Sequence, residues 1–298
     1  MAQWTAEVRV DEALARELIA AQFPPLPERL LVFLGEGWDY TAFLVDESLV
    51  FRFPRREIGL PGTVREIAKL PVLAPLLPVA IPNPVHVGRP SAEFPWPFYS
   101  ASFLHGAEPD ASLSDDARRS LARPLARALR ALHDGAILDA AGDGLPVDPM
   151  GRADMAVRVP RTRETVAAIG ELWQPPAEFD DLLKRAVELP PPEPTAVCHG
   201  DLHFRQLLVD GSTLAGIVDW VDLCRGDPSM DLSLVFGFLP GAGRREFFAD
   251  YGEVEPASVV RARVLALNLM SVLVRYGHDE RMPGVEGEAL AALDRVFA

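Results

Sequence analysis

The stretch that most constrains the chain is residues 197–231, V-C-H-G-D-L-H-F-R-Q-L-L-V-D-G-S-T-L-A-G-I-V-D-W-V-D-L-C-R-G-D-P-S-M-D. Two β-rich runs, L-L-V and T-L-A-G-I-V, flank the turn signal Asp210-Gly211-Ser212, which is the pattern of a hairpin. A hairpin returns the chain to its starting level. The loop before it and the residue after it therefore fall at the same end. Asp201, in H-G-D, and Asp219, in G-I-V-D-W, then face one small volume, with Gln206 between them in sequence. Two carboxylates and an amide offer oxygen ligands for a hard cation. Mg²⁺ is such a cation, and it is usually held together with phosphates.

The first hundred residues suit a phosphate-handling partner for that hairpin. Apolar residues at helical spacing (Leu14, Leu18, Ile19, Ala21) predict an opening helix over 11–22, stopped by F-P-P-L-P. Strands are expected over 31–36, 41–46 and 48–54, with Gly35 and Gly37 in the first connection. Glycines there let a backbone approach a phosphate and offer it N–H groups, although G-x-G serves any tight hairpin equally well. The third strand ends V-F-R-F-P, with Arg52 as its cation. Thr63-Val-Arg-Glu66 reads as a capping box opening the next helix, which Pro71 then shortens or kinks. A further strand is expected over 98–104.

The motifs H-G-D-L-H, G-I-V-D-W and G-D-P-S-M-D-L together resemble the aminoglycoside phosphotransferase family, which includes macrolide phosphotransferases and is distantly related to protein kinases. The resemblance runs from G-E-G-W-D to D-P-S-M-D-L. It implies an α+β, two-lobed protein-kinase-like fold: an N-terminal antiparallel sheet lobe over 1–104 that binds nucleotide, and a larger, mainly helical catalytic and substrate-binding lobe over 105–298. It implies Asp201 as catalytic base, and position 206 and Asp219 as metal ligands. Position 206 is Asn in the family and Gln here, which adds a methylene. Arg52 stands where such folds carry a phosphate-binding lysine, and two of its N–H groups can clamp phosphate oxygens. Its alternative is a surface arginine on an edge strand. Glu66 would orient Arg52, a role that competes with the capping box for one carboxylate. The 35–40 loop would cover the phosphates. Backbone near Ser102, Phe103 and Leu104 would meet the base of ATP or GTP.

Downstream, L-S-D-D-A-R-R-S-L-A-R-P-L-A-R-A-L-R-A-L-H-D predicts an amphipathic helix capped by Ser114, with His133 a structural residue at its end. Helices are expected within 161–188 and over 244–251, 256–276 and 285–297, while 138–160 yields no assignment. His199 is expected to hold its loop, and Asp231 to pin the catalytic loop as a buried acid. His203 could lie near the metal or merely belong to the loop.

A net charge of −14 argues against nucleic acid or an anionic membrane as partner. It is compatible with a cationic hydroxylated small molecule, for which Asp222, Asp279 and Glu280 are candidate contacts. No apolar run long enough to span a bilayer is expected, nor a secretory leader in M-A-Q-W-T-A-E-V-R-V-D-E. Two cysteines make no disulfide framework, so the expected location is the cytoplasm. The expected activity is Mg²⁺-assisted transfer of a phosphoryl group from ATP or GTP to a hydroxyl of a small molecule, most simply a macrolide or aminoglycoside antibiotic. The alternatives are a metabolic kinase for choline, homoserine or a sugar, or a nucleotide-binding pseudokinase or scaffold.

Overall fold

The computed structural model describes residues 6–24, 26, 30–37 and 39–298. Trp38 of the expected phosphate-covering loop, Pro25 and Pro27 of the expected helix stop, and residues 1–5 lie outside the described residues. The chain divides into two compact units, Met1–Pro75 with Ala80–Leu104, and Leu76–Val79 with His105–Ala298.

The first unit opens with α1 (Glu12–Gln22), whose N-cap Asp11 accepts from the Leu14 N–H at 2.9 Å. Strands β1 (Leu31–Glu36), β2 (Tyr40–Val45) and β3 (Leu49–Pro54) follow, then α2 (Leu60–Leu73), β4 (Pro84–Gly88) and β5 (Phe98–Ser102). They form one five-stranded antiparallel sheet in the order β1-β2-β3-β5-β4. Side chains alternate across a strand. In β3 the alternation sends Phe51 and Phe53, both without exposure, into an aromatic core with Phe43, Phe94 and Phe98. Arg52 between them is thereby forced to the opposite face. α1 seals the core side with Ala15, Leu18 and Ile19.

Several expectations change here. Gly35 lies inside β1, at a register shift after Phe33, rather than in the connection. α2 begins at Leu60 instead of Thr63, with a proline at its second position, so Thr63 is already inside the helix and caps nothing. Its hydroxyl bonds back to the Gly59 carbonyl at 3.3 Å. α2 continues through Pro71, ending two residues later. β5 stops at Ser102, two residues short of the expected end.

The second unit is mostly helical: α3 (Asp115–Leu132), α4 (Gly135–Ala141), α5 (Met155–Ala168), α6 (Glu178–Val187), then β6 (Ala196–Cys198), β7 (Leu207–Asp210), β8 (Thr213–Ile217) and β9 (Cys224–Gly226). It closes with α7 (Ser229–Phe238), α8 (Gly241–Tyr251), α9 (Pro256–Asp279) and α10 (Pro283–Phe297). Every residue of α7 is buried, which marks it as the centre of this unit. α9 corrects the membrane expectation: it contains an 18-residue window of mean hydropathy 1.6, long and apolar enough by composition to cross a bilayer, with 67% of that window buried. Its apolar surface is spent on α5, α7 and α10, the role of a core helix. Arg118 on α3 makes a bidentate pair with Glu288 on α10, at 2.9 and 2.7 Å, with both side chains buried. This ties the first helix of the unit to its last.

Candidate active site

On the first unit, Arg52 faces its cross-strand partner Tyr99 and the diagonal Tyr40. One guanidinium nitrogen donates to Glu66 at 2.8 Å and to the Tyr99 hydroxyl at 3.0 Å, and the guanidinium carbon lies 4.1 Å from the Tyr40 ring centroid. The Tyr40 hydroxyl donates to the other Glu66 oxygen at 2.9 Å and stands 2.8 Å from the Thr63 hydroxyl. Glu66 has no exposure, so its carboxylate is committed to Arg52 and Tyr40 and takes no part in a capping box. Burial, reinforced by Glu66, pushes the Tyr40 phenol well above its ordinary range. Burial does the same for Tyr99, which Arg52 opposes.

Breaking a desolvated ion pair from one side strands the other charge. Arg52→Met is therefore expected to cost about 3 kcal/mol of stability, measured by denaturant unfolding. Arg52→Lys keeps the charge but loses the planar stack on Tyr40, so it should recover only part of that loss. An Arg52→Met protein as stable as wild type would contradict this account of the cluster.

Nothing lies within 4 Å of a Cβ placed on Gly35, and only the Tyr40 carbonyl, at 4.0 Å, approaches one on Gly37. The fold itself therefore does not demand glycine at either position. Beyond β5, the Phe103 N–H donates to the Ser48 carbonyl at 2.8 Å. Ser102 is exposed, and Phe103 and Leu104 are half-buried.

On the second unit, β6 pairs with β9, and β7 with β8. The β7–β8 hairpin aligns Leu207 with Ile217, which brings the loop 199–206 and residues 218–220 to its one end. Three ties fix that loop. The Asp231 carboxylate, fully buried on the first turn of α7, accepts from the His199 N–H at 2.8 Å and the Gly200 N–H at 3.0 Å. His133 Nε2 donates to it at 3.0 Å. His199 Nε2 donates to the Val218 carbonyl at 3.0 Å, and the Val218 N–H donates to the Gln206 carbonyl at 2.9 Å. His199 and His133 are thus structural donors.

Gly200 has φ +90°, and a Cβ there would meet the Asp222 carbonyl oxygen at 2.3 Å. Both the left-handed backbone and the space require glycine. Asp219 also adopts a left-handed φ, +64°, held between the tied Val218 and a buried Trp220 whose indole donates to the Ile217 carbonyl. Such backbone is strained for a non-glycine residue and gathers at functional sites.

Asp201 keeps 28% of its side chain exposed, at the tip of this loop. Its Oδ1 lies 3.2 Å from Arg152, which also donates to Asp222 at 3.0 Å. Burial pushes the Asp201 carboxyl up; Arg152 opposes this, while Asp222 and Asp219 add to it. Burial disfavours the Arg152 charge, but Asp201 and Asp222 outweigh it and hold the guanidinium protonated more firmly than usual.

Gln206 is buried, and its Oε1 accepts from the His203 N–H at 3.2 Å. His203 Nδ1 accepts in turn from the Arg205 N–H at 3.3 Å. Gln206 therefore closes a short reciprocal cap on its own loop. His203 Nε2 stands 3.9 Å from Asp201, and burial holds the imidazole well below its usual range. Of the acids expected to meet a cationic substrate, Asp222 is engaged by Arg152, and Asp279 pairs with Arg275 at 2.8 Å.

Sequence reasoning missed Arg152, Tyr40 and Tyr99. Arg152 lies in the unassigned 138–160 stretch and meets its partners across 49 and 70 positions, a separation that carries no local signal. The two tyrosines were legible in principle, because strand alternation places Tyr99 and Tyr40 on the face of Arg52.

The model of the phosphotransferase enzyme family matches residues 30–262. None of the curated protein sequences matches the chain. Among solved structures, the GDP complex of aminoglycoside 2'-phosphotransferase-IIIa is similar over 96% of this chain and 98% of that one, with a TM-score of 0.69 at 24% identity. The macrolide 2'-phosphotransferase MphH from Brachybacterium faecium is similar over 95% and 97%, with a TM-score of 0.57 at 21% identity. The gentamicin complex of APH(2")-IIa gives 96% of each chain, a TM-score of 0.57 and 18% identity. These likenesses establish the fold: an antiparallel sheet lobe followed by a mainly helical one, as in the kinase-like phosphotransferases. With the family model spanning most of its length, the chain belongs to the phosphotransferase enzyme family and is an enzyme of that class.

Proposed function

We propose that this enzyme transfers the γ-phosphoryl group of a purine nucleoside triphosphate, GTP or ATP, to a hydroxyl of a small molecule in the cytoplasm. Macrolide or aminoglycoside antibiotics are the first acceptors to test. The observation that carries the reading is Asp201: a partly exposed carboxylate on a loop that three buried ties hold rigid.

Phosphoryl transfer needs positioning and charge neutralisation more than covalent help from the protein. Asp201 orients the acceptor hydroxyl and takes its proton. Arg52, held by Glu66 and Tyr99, binds phosphate oxygens. The open space at Gly35 and Gly37 leaves room for the nucleotide phosphates to approach the backbone. Backbone at Ser102, Phe103 and Leu104 meets the base. The acidic oxygens of the second unit suit a hard cation. Asp219 would hold Mg²⁺, with the remaining lone pair of Gln206 Oε1 in support, and the ion would neutralise charge on the phosphates. GDP is bound by the similar aminoglycoside 2'-phosphotransferase-IIIa, which makes GTP the first nucleotide to try.

The commitment of Gln206 Oε1 to the His203 N–H favours a second reading, a nucleotide-binding pseudokinase with weakened metal binding. One assay separates the two. Nucleotide consumption is followed with Mg²⁺ and GTP or ATP, against kanamycin, gentamicin, erythromycin, choline and homoserine. Mg²⁺-dependent turnover on one compound class is expected and names the acceptor. Nucleotide binding without turnover on any of them favours the pseudokinase. Absence of nucleotide binding overturns both.

A further inference from the structure

We infer that Arg152 is a positioning residue for the phosphoryl acceptor: it clamps one oxygen of Asp201 and leaves the other presented to the incoming hydroxyl, and Asp222 fixes the clamp. The inference rests on the proposed role of Asp201.

The backbone around Arg152 is built to deliver its side chain. Asp148 ties into β9 through its N–H to the Arg225 carbonyl at 3.0 Å. Its carboxylate accepts from the Arg152 N–H at 2.7 Å and the Ala153 N–H at 2.9 Å, and the Gly151 N–H closes the turn onto the Asp148 carbonyl at 2.9 Å. Arg158 Nε donates to the Arg152 carbonyl at 3.3 Å, and its other end is anchored on Asn268 of α9 at 2.9 Å. The side chain thus delivered keeps only 15% exposure. Desolvating a guanidinium is unfavourable unless it is well paired.

The pairing is asymmetric in a useful way. Nη2 donates to Asp222 Oδ2 at 3.0 Å and stands 3.2 Å from Asp201 Oδ1. Asp201 Oδ2 has His203 Nε2 at 3.9 Å, beyond hydrogen-bond reach. A proton acceptor needs one oxygen open and a fixed carboxylate plane, and this clamp supplies both. The backbone of Asp222 is packed against the loop of Asp201, its carbonyl filling the space that a side chain on Gly200 would need. Three segments remote in sequence therefore converge on one carboxylate. The charged or titratable groups facing Asp201 include Arg152, Arg158, Asp222, His199 and Asp219, with His203 adjacent.

The test uses the full chain with Mg²⁺-GTP and erythromycin or kanamycin as acceptor. Arg152→Met is expected to lower kcat about a hundredfold through misplacement of the base, with the KM for GTP within about twofold of wild type. Arg152→Lys should recover part of kcat, and millimolar guanidinium should partly restore Arg152→Met. The acid limb of the kcat/KM profile should move to higher pH in Arg152→Met, where a cation is lost, and to lower pH in Asp222→Asn, where an anion is lost. A purely packing role would not give opposite shifts.

Wild-type kcat and an unmoved acid limb in Arg152→Met overturn the inference. Should the wild type turn over neither acceptor, the functional reading is what has failed. The clamp is then read directly from the Asp201 carboxyl carbon resonance, assigned with Asp201→Asn. Its titration should move up in Arg152→Met and down in Asp222→Asn, and an unmoved titration overturns the clamp. If Arg152→Met does not fold, Asp222→Asn and Arg152→Lys are read alone: a downward shift and partial activity uphold the inference, and wild-type behaviour in both overturns it.

Discussion

Replacing Asp201 by Asn is expected to lower phosphoryl transfer about a thousandfold, the middle of the range that general base catalysis contributes, while nucleotide binding stays close to wild type. The amide keeps the shape of the loop but cannot take the acceptor proton. Arg52, Glu66, Tyr40 and Tyr99 contact one another on the first unit, and none of these contacts involves Asp201. Stability should move the other way. The folded state raises the proton affinity of Asp201, through burial and the neighbouring Asp222 and Asp219. A carboxylate raised in the folded state costs stability as pH climbs from its unfolded value through its folded one. Asn carries no such cost, so Asp201→Asn should melt at or above the wild-type temperature near neutral pH. The difference should vanish in acid, below the unfolded range. This is the usual opposition of function and stability at a site built for chemistry. A variant that loses activity and also melts well below wild type would mean that Asp201 is a structural acid.

How far the sequence revealed this site depended on the range of the interactions. The hairpin that brings Asp201 and Asp219 to one end was legible because period-two runs and an Asp-Gly-Ser turn are local signals. The orientation of Arg52 was legible for the same reason, since Phe51 and Phe53 must both face the core. Thr63-Val-Arg-Glu66 misled because it has the spacing of a capping box but lies within a helix already begun at Leu60, where Pro61 was the better start signal. Gln206 was read as a metal ligand, and its reciprocal bond with the His203 N–H went unseen, because histidine is not among the usual N-cap residues. No apolar run of bilayer-spanning length was expected, yet α9 carries such a window, most of it buried inside the second unit, because a central core helix needs apolar residues on nearly every side. Arg152 carried no local signal: its partners are fixed only once β6, β9 and the turn at Asp148 are assembled.

Asp231→Ala should be the most destabilising single change at the site. The carboxylate is fully buried on the central helix and satisfies three donors: His199 N–H, Gly200 N–H and His133 Nε2. Each buried donor left without a partner costs about 1–3 kcal/mol, so leaving two backbone N–H donors without their acceptor is expected to cost about 4 kcal/mol and lower the melting temperature by about 10 °C. Asp231→Asn separates stability from activity. Its oxygen, in the Oδ2 position, can keep His199 and His133, but its amide then meets the Gly200 N–H donor to donor. The melting temperature should fall less than in the alanine variant. Turnover should still fall steeply, because Gly200 immediately precedes Asp201. The pH dependence has a definite sign. Burial raises the Asp231 carboxyl, yet the His133 hydrogen bond, the charges of His133 and His199, and the Gly200 N–H together hold it below the usual carboxylate range. Its contribution is therefore fully present above about pH 4, the unfolded carboxylate value, and is lost as pH falls through its depressed folded value. The stability gap between wild type and Asp231→Ala should be constant from neutral pH down to that point and narrow in stronger acid. A gap that instead widened on acidification, or an alanine variant melting with wild type, would mean that the loop carrying Asp201 is held by something other than this clamp.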